Sequence, residues 1–181
     1  ALVSSITTTD ANLDGMVDTA TIVFTEAMKD STFNFADFSI GGIPATTFST
    51  GMTANDATVV LSHAGVAGTE AKTVAYTPGS ATDLAGNPIA GFSPTSTDEA
   101  GPVLLSAQTA SVTTINATFS EDINGGTVNG SGSEFAVTGY AVSAASETSD
   151  GVVTLTVATM PTDAIPLITF TSALFEDSNG N

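Results

Sequence analysis

Apolar and polar residues alternate in short runs along the whole chain. Within residues 19–26, Ala20, Ile22 and Phe24 fall on one face and their neighbours fall on the other, which is the two-residue period of a half-buried β-strand. Gly-, Asn- and Pro-rich turns separate the runs, and the helix formers Lys, Arg, Gln and Glu are scarce. The pattern predicts an all-β protein, with further strands at residues 3–8, 35–40, 57–62, 73–77, 103–107, 112–120, 135–142, 152–157 and 167–172.

Three sequence blocks occur twice and in the same order. Residues 21–26 (TIVFTE) return as 116–121 (NATFSE), 57–61 (ATVVL) return as 152–156 (VVTLT), and 83–87 (DLAGN) return as 177–181 (DSNGN). Phe24 precedes Asp83 by 59 residues and Phe119 precedes Asp177 by 58, so a whole unit is repeated. A Ser-, Thr-, Pro- and acid-rich segment at 94–102 has the composition of a linker. The sequence predicts two domains, 1–97 and 98–181.

These motifs resemble those of the bacterial immunoglobulin-like domains found in tandem in S-layer proteins and large surface adhesins. The resemblance rests on the two strands ending in Phe-x-Glu, the two Asp-x-x-Gly-Asn turns and the Asp98-Glu99-Ala100-Gly101-Pro102 junction, and it spans nearly the whole chain. It implies two tandem immunoglobulin-like Greek-key β-sandwiches, each of about 100 residues. Because such arrays usually continue into further domains, it also implies that the chain is part of a longer one.

The charge balance restricts the partners of the protein. Two Lys and no Arg stand against 19 acidic residues, which gives a net charge of −17. Nucleic acid is held by clustered basic side chains, and anionic lipid surfaces need them too, so we expect neither as a partner. Cations are the natural counterparts of such a surface. There is no cysteine for disulfides or thiolate ligands, and no apolar stretch of membrane-helix length.

The strongest ligand motif is Asp10-x-Asn12-x-Asp14-Gly15-x-x-Asp18. It places side-chain oxygens at alternate positions around a glycine, and this is the spacing with which an EF-hand-type loop surrounds Ca²⁺. Thr21 stands where that loop has its bidentate Glu, and a predicted strand follows where a helix would. A missing ligand would come from Glu26 or from the linker. The alternative is a solvated loop, because Asp, Asn and Gly are also good turn formers.

A second candidate cation site combines Asp83, Asn87, Asp98 and Glu99 around the domain junction, and Asp177, Asn179 and Asn181 repeat its pattern at residues 177–181. A cation there would offset repulsion between carboxylates and stiffen the linker. The alternative is again a plain β-turn in which Gly86 supplies a positive φ.

Two Asn-x-Ser/Thr sequons begin at Asn116 and Asn129 and are candidate glycosylation sites, with unmodified polar side chains as the alternative. Asn116 alternates away from its apolar neighbours and is expected to face outward. The only histidine, His63, is expected to be a solvated residue at a strand end, and its neighbour Ser62 points to the other face. Neither a Ser-His-Asp site nor an aromatic-lined carboxylate cleft is indicated, so we expect no enzyme.

These features favour an extracellular structural module of an S-layer, surface filament or adhesin stalk, stiffened by Ca²⁺. Its partners would be calcium ions and either further copies of itself in a lattice or filament or neighbouring domains of a longer chain. Edge strands of such sandwiches can also accept a strand from another subunit. The alternative function is a ligand- or glycan-binding adhesin module, or an accessory module of a larger secreted enzyme.

Overall fold

A computed structural model describes residues 1–171 and 175–181. In these residues the chain is all-β and has no helix of seven or more residues. It divides into two compact units, Ala1–Ala100 and Gly101–Asn181, and the sequence-based boundary falls three residues earlier. The strands of unit 1 are β1 (Val3–Thr9), β2 (Met16–Phe24), β3 (Phe38–Ile40), β4 (Ile43–Pro44), β5 (Thr47–Thr50), β6 (Thr58–Ala67), β7 (Val74–Tyr76) and β8 (Thr97–Asp98). Those of unit 2 are β9 (Leu104–Ser111), β10 (Thr114–Phe119), β11 (Phe135–Val137), β12 (Val142–Ser149), β13 (Val152–Val157) and β14 (Ile168–Phe170).

Unit 1 has a sandwich-like arrangement of two sheets. The larger sheet has the order β5-β6-β2-β1-β8, and the smaller has the order β4-β3-β7. All neighbours are antiparallel except β1 and β8, which are parallel. Ile22 and Leu61 of the larger sheet and Phe38 and Val74 of the smaller belong to one buried apolar cluster. The inward faces of the two sheets therefore share a core, as the alternation requires.

In its described residues, unit 2 follows the same plan with fewer strands. Its larger sheet has the order β12-β13-β10-β9 and its smaller sheet pairs β11 with β14, all antiparallel. Ile115, Leu155, Phe135 and Phe175 belong to a second buried cluster. Each unit thus has a core of its own.

The structure shifts the alignment of one repeated block by one residue. Ile22 lies opposite Val59 in unit 1, and its counterpart Ala117 lies opposite Val153 in unit 2. Val59 therefore corresponds to Val153, whereas the sequence comparison had matched it with Thr154. Because side chains alternate between faces, only the corrected match keeps buried residues on buried positions.

Several predicted strands differ in extent from those observed. Residues 35–37 form a 3₁₀ turn, and the Ala36 amide donates to Asn34 Oδ1, so only Phe38–Ile40 of that run is extended. The run at 135–142 is broken after Val137, where Gly139 adopts a φ of +85°. The predicted strand at 167–172 is observed as Ile168–Phe170, and Ser172 lies outside the described residues. Strands β4, β5, β8 and β12 were not predicted; their residues are mostly small, polar or exposed.

The segment that we interpreted as the start of a linker is part of unit 1. The amide of Val74 donates to Pro94 O, and the amide of Ser96 donates to Lys72 O. Thr97 and Asp98 then pair with β1. The segment is polar and contains proline, which suggested a linker, but its backbone groups bond to the strands of unit 1.

Candidate cation-binding sites

The loop from Asp10 to Asp18 connects β1 to β2, and its acidic side chains bind the loop backbone. The amide of Asp14 donates to Asp10 Oδ1 at 3.2 Å and to Asn12 Oδ1 at 3.0 Å, and the amide of Gly15 donates to Asp10 Oδ2 at 2.7 Å. The amide of Ala11 donates to Asp18 Oδ1 at 3.0 Å. Gly15 has a φ of +83°, which only a residue without Cβ adopts at little cost.

The structure therefore brings Asp10, Asn12, Asp14 and Asp18 into one loop, held by side-chain caps of the Asx type. The carboxylates of Asp10, Asp14 and Asp18 do not place three oxygens within 4.8 Å of one another. Every one of these side chains has a role in the turn without an ion, so the calcium assignment for this loop stays a prediction.

Two Asp-x-x-Gly-Asn turns have the same internal hydrogen bonds. In unit 1, Asp83 Oδ1 accepts from the Asn87 amide at 2.9 Å and Oδ2 accepts from Asn87 Nδ2 at 2.8 Å. In unit 2, Asp177 Oδ1 accepts from the Asn181 amide at 2.9 Å and Oδ2 accepts from Asn181 Nδ2 at 3.1 Å. Both turns close with an Asp N–H to Asn C=O bond of 3.0 Å, and Gly86 and Gly180 have φ of +86° and +92°.

Both turn carboxylates are almost completely buried, with 1% of Asp83 and none of Asp177 exposed. Hydrogen bonds from the side chain and the amide of Asn87 lower the pKa of Asp83. Burial raises the pKa of Asp177, but the bonds that it accepts from Asn181, Asn179 and Gly180 outweigh that effect, so its pKa is lowered. Each carboxylate is therefore held ionised.

A glutamate lies next to each of these aspartates. In unit 2 a carboxylate oxygen of Glu121 lies within 4.8 Å of one of Asp177. In unit 1 the amino group of Ala1 lies 2.8 Å from Glu26 Oε1 and 3.7 Å from Asp83 Oδ2, so those two carboxylates lie around one ammonium group. Glu26 and Glu121 each follow the Phe of the central strand by two residues. Strand register explains the recurrence, since Met28 and Ile123 form the bridges to Asp83 and Asp177.

Sequence reasoning assigned no ligand role to Glu121 and considered Glu26 only as a ligand of the Asp10–Asp18 loop. The signal was present, because Phe-x-Glu occurs in both halves at the same offset from the Asp-x-x-Gly-Asn turn. The sequence alone did not show that each glutamate lies near the aspartate of the turn. That proximity follows from the bridges that join Met28 to Asp83 and Ile123 to Asp177.

The four residues predicted to form one junction site do not meet. Asp83 lies near Ala1, at the start of β1, whereas Asp98 pairs with Thr8 and the Glu99 amide donates to Thr8 O, near the end of β1. Seven residues of extended chain span about 23 Å. The grouping of Asp83 and Asn87 with Asp98 and Glu99 is therefore wrong for unit 1.

The two sequons differ in accessibility. Asn116 is half-buried in the middle of β10, and its Oδ1 accepts from Thr154 Oγ1 at 3.0 Å. Asn129 is exposed in a turn, where its Oδ1 accepts from the Ser131 amide at 3.0 Å and from the Ser131 hydroxyl at 2.8 Å. Of the two sequons, Asn129 is therefore the one whose side chain is accessible for glycosylation.

His63 is not the solvated strand-end residue that we expected. It lies within β6 on the inward face with Val59 and Leu61, and 7% of it is exposed. Its Nδ1 accepts from the Gly65 amide at 3.0 Å, and burial lowers its pKa in spite of nearby Asp18. These features describe a neutral histidine that contributes to packing.

Comparison of the chain with protein-family models, with curated proteins and with solved structures gives no match. In the described parts of the chain, no helix has the length and apolar character needed to cross a membrane. The functional argument therefore rests on the sites themselves.

Proposed function

We propose that the chain is a non-enzymatic, calcium-stabilised structural module of an extracellular surface protein, such as an S-layer, a surface filament or an adhesin stalk. The two units would be tandem immunoglobulin-like domains of Greek-key topology. The observation that carries the proposal is the recurrence of one carboxylate pair, Glu26 with Asp83 and Glu121 with Asp177, at the same place in both units.

The neighbouring carboxylates of Glu121 and Asp177 repel each other, and burial of Asp177 strengthens the repulsion. In unit 1 the amino group of Ala1 contacts both Glu26 and Asp83 and offsets part of the repulsion there. A divalent cation converts that repulsion into attraction, and Ca²⁺ prefers carboxylate and carbonyl oxygens. The lowered pKa of Asp83 and of Asp177 supports the proposal, because an ionised carboxylate is the form that binds a metal. The net charge of −17 favours cation uptake in the same way.

A structural role is supported by how the apolar side chains are used. In each unit the inward-facing apolar side chains of both sheets belong to one buried core, and the single histidine is buried and bonded to the backbone. Repetition of such a unit multiplies length and stiffness, and that is the property a stalk or lattice needs.

The test is thermal unfolding after removal of metal with EDTA, repeated with added Ca²⁺. A ligand at 100 times its dissociation constant stabilises the folded state by about 2.7 kcal/mol. Glu121→Gln removes one carboxylate of the unit 2 pair, and we expect it to abolish most of the stabilisation of unit 2 by Ca²⁺. The matched control is Glu176→Gln, which makes the same charge change at an exposed position of the same unit.

Equal melting temperatures with and without Ca²⁺ for the unchanged protein would sink the calcium proposal. A calcium effect that Glu121→Gln and Glu176→Gln reduce equally would mean that only the overall charge matters. Electron microscopy of the purified protein with and without Ca²⁺ tests the assembly role.

A further inference from the structure

The outward faces of the two larger sheets are built from small, uncharged side chains. Residues that pair directly in antiparallel strands lie on the same face of a sheet, so the strand registers identify the members of each face. The outer face of unit 1 consists of Ser5, Thr7 and Thr9 of β1, Thr19, Thr21 and Val23 of β2, Thr58, Val60 and Ser62 of β6, and Thr47 and Ser49 of β5. The outer face of unit 2 consists of Ser106, Gln108 and Ser111 of β9, Thr114, Asn116 and Thr118 of β10, Val152, Thr154 and Thr156 of β13, and Ala144, Ser146 and Ser149 of β12.

Neither outer face carries a charged side chain, although the chain has a net charge of −17. Asp18 lies at a bulge of β2 and accepts from the Ala11 amide in the loop before it. Glu147 of β12 pairs with Val153, which faces the core. On an ordinary protein surface roughly a quarter to a third of the side chains are charged. Since acidic chains repel each other, these uncharged faces are where two copies can meet at the lowest electrostatic cost.

Both outer faces are open. No member of either face is buried, so none of the described segments covers them. In unit 2, Thr154 Oγ1 donates to Asn116 Oδ1 at 3.0 Å and lies 2.9 Å from Thr148 Oγ1, and Ser111 Oγ lies 2.8 Å from Thr114 Oγ1. A hydroxyl that keeps its hydrogen-bond partner when water is removed costs less to bury than one that loses it. These hydroxyls can therefore be covered at little cost.

The area of each outer face sets the expected strength of binding. Four strands of each larger sheet contribute to the face. With strands about 4.8 Å apart and about six residues of about 3.4 Å each, one face covers about 400 Å². Two faces stacked on each other would bury about 800 Å² in total, less than the roughly 1,200 Å² of the smallest stable complexes. A single stacked pair is therefore weak, whereas contacts through both faces of a chain would bury about 1,600 Å², which is typical of a specific interface.

We propose that the outer faces bind a second copy of the chain, with one sheet stacked on the other about 10 Å apart. Small and β-branched side chains form a surface of low relief that can pack in this way. Because each chain has two such faces, stacking can link more than two copies. The proposal names the contact surface for the lattice or filament role proposed above and rests on that role. It does not require calcium.

The test is sedimentation equilibrium of the full chain in EDTA. Between about 10 µM and about 1 mM, the average mass should rise from that of the monomer to roughly 1.5 times that value, because an interface of this size is weak. Raising the salt concentration from about 0.05 M to about 0.5 M should strengthen the association, because salt screens the repulsion between acidic chains.

The variant Thr21→Lys, Thr154→Lys places an ammonium group in the middle of each outer face. It should remain monomeric at the highest concentration, because an unpaired charge would be buried between the sheets. The control is Thr53→Lys, Thr138→Lys, at exposed positions outside both faces. Both double variants reduce the negative charge equally, so general repulsion falls equally in the two. The control should therefore associate at least as strongly as the parent.

NMR spectra of the parent over the same concentrations locate the contact without any substitution, so the test stands even if a Lys variant does not fold. The Thr and Val methyl signals of the outer faces should broaden, while those of Thr53 and Thr138 should not. A parent that stays monomeric at the highest concentration and salt would overturn the proposal. Broadening confined to other surfaces, or equal loss of association in the two double variants, would overturn it as well.

Calcium separates this proposal from the proposed function. Association that appears only with Ca²⁺ would overturn the stacking proposal, because ions that bridge carboxylates would then be the cause. A melting temperature that rises with Ca²⁺, without association in EDTA, would overturn the stacking proposal and leave the calcium proposal intact. Association in EDTA that Thr21→Lys, Thr154→Lys alone abolishes supports the stacking proposal whatever the effect of Ca²⁺ on stability.

Discussion

Replacement of Asp177 by alanine should destabilise unit 2 even when no metal is present. Its Oδ1 accepts from the amides of Asn179, Gly180 and Asn181 at 2.8, 2.7 and 2.9 Å, and Oδ2 accepts from Asn181 Nδ2 at 3.1 Å. Hydrogen bonds to a charged group contribute about 1.5–3 kcal/mol each. Three bonds share one oxygen and are not additive, so we expect a loss of about 3–5 kcal/mol.

Unfolding of the two units can be followed separately because each contains one tyrosine, Tyr76 in unit 1 and Tyr140 in unit 2. In a Tyr76→Phe background, the fluorescence of Tyr140 reports unit 2 during urea denaturation in EDTA. Asp177→Asn keeps one acceptor oxygen and should lose about half as much stability as Asp177→Ala. The control is Asp163→Ala, which removes an exposed carboxylate from the same unit.

A free energy of unfolding for Asp177→Ala within about 0.5 kcal/mol of the parent would refute the assignment of Asp177 as the organising residue of the turn. The repeat offers an internal check. Asp83→Ala, followed by Tyr76 in a Tyr140→Phe background, should destabilise unit 1 in the same manner, because Asn87 donates to Asp83 as Asn181 donates to Asp177.

Three further predictions concern pH, charge and packing. The pKa of Asp83 and of Asp177 is lowered in the folded state, so their contribution to stability is complete above the unfolded-state pKa of about 3.9 and is lost as pH falls through the folded-state pKa. Melting curves between pH 7 and pH 2 should show this loss of stability. The Asp83→Asn, Asp177→Asn double variant should lose less stability over the same pH range. Burial and the neighbouring Asp122 raise the pKa of Glu147, so the ionised form of Glu147 opposes folding. Glu147→Gln should therefore raise the melting temperature at pH 7 by a few degrees. An equal gain in melting temperature at pH 3, where Glu147 is protonated, would contradict this cause. Leu155 is completely buried, so Leu155→Ala should destabilise unit 2 by about 2–5 kcal/mol in urea titrations, whereas Leu167→Ala at an exposed site should change stability by less than about 0.5 kcal/mol.

Local patterns in the sequence were sufficient to predict that the protein is all-β and that its two halves are repeats. Alternation of Ala20, Ile22 and Phe24 is imposed by the two-residue period of a strand, and all three side chains are buried. The Asp-x-x-Gly-Asn motif specifies its own turn, because the Asp side chain reaches only the next few amides and the glycine permits a positive φ. Such features depend on residues that are close in sequence, so they can be deduced without the fold.

Pairing between distant segments was decided only by the tertiary structure. The one-residue correction that matches Val59 with Val153 follows from strand register, which adjacent residues do not encode. The burial of His63 and the use of residues 94–98 as a covering segment depend on partners tens of residues away. The sequence by itself determined that two similar β-units exist and where their Asp-x-x-Gly-Asn turns lie. Only the tertiary structure placed Glu26 and Glu121 near Asp83 and Asp177, because strand pairing joins segments that are far apart in the sequence.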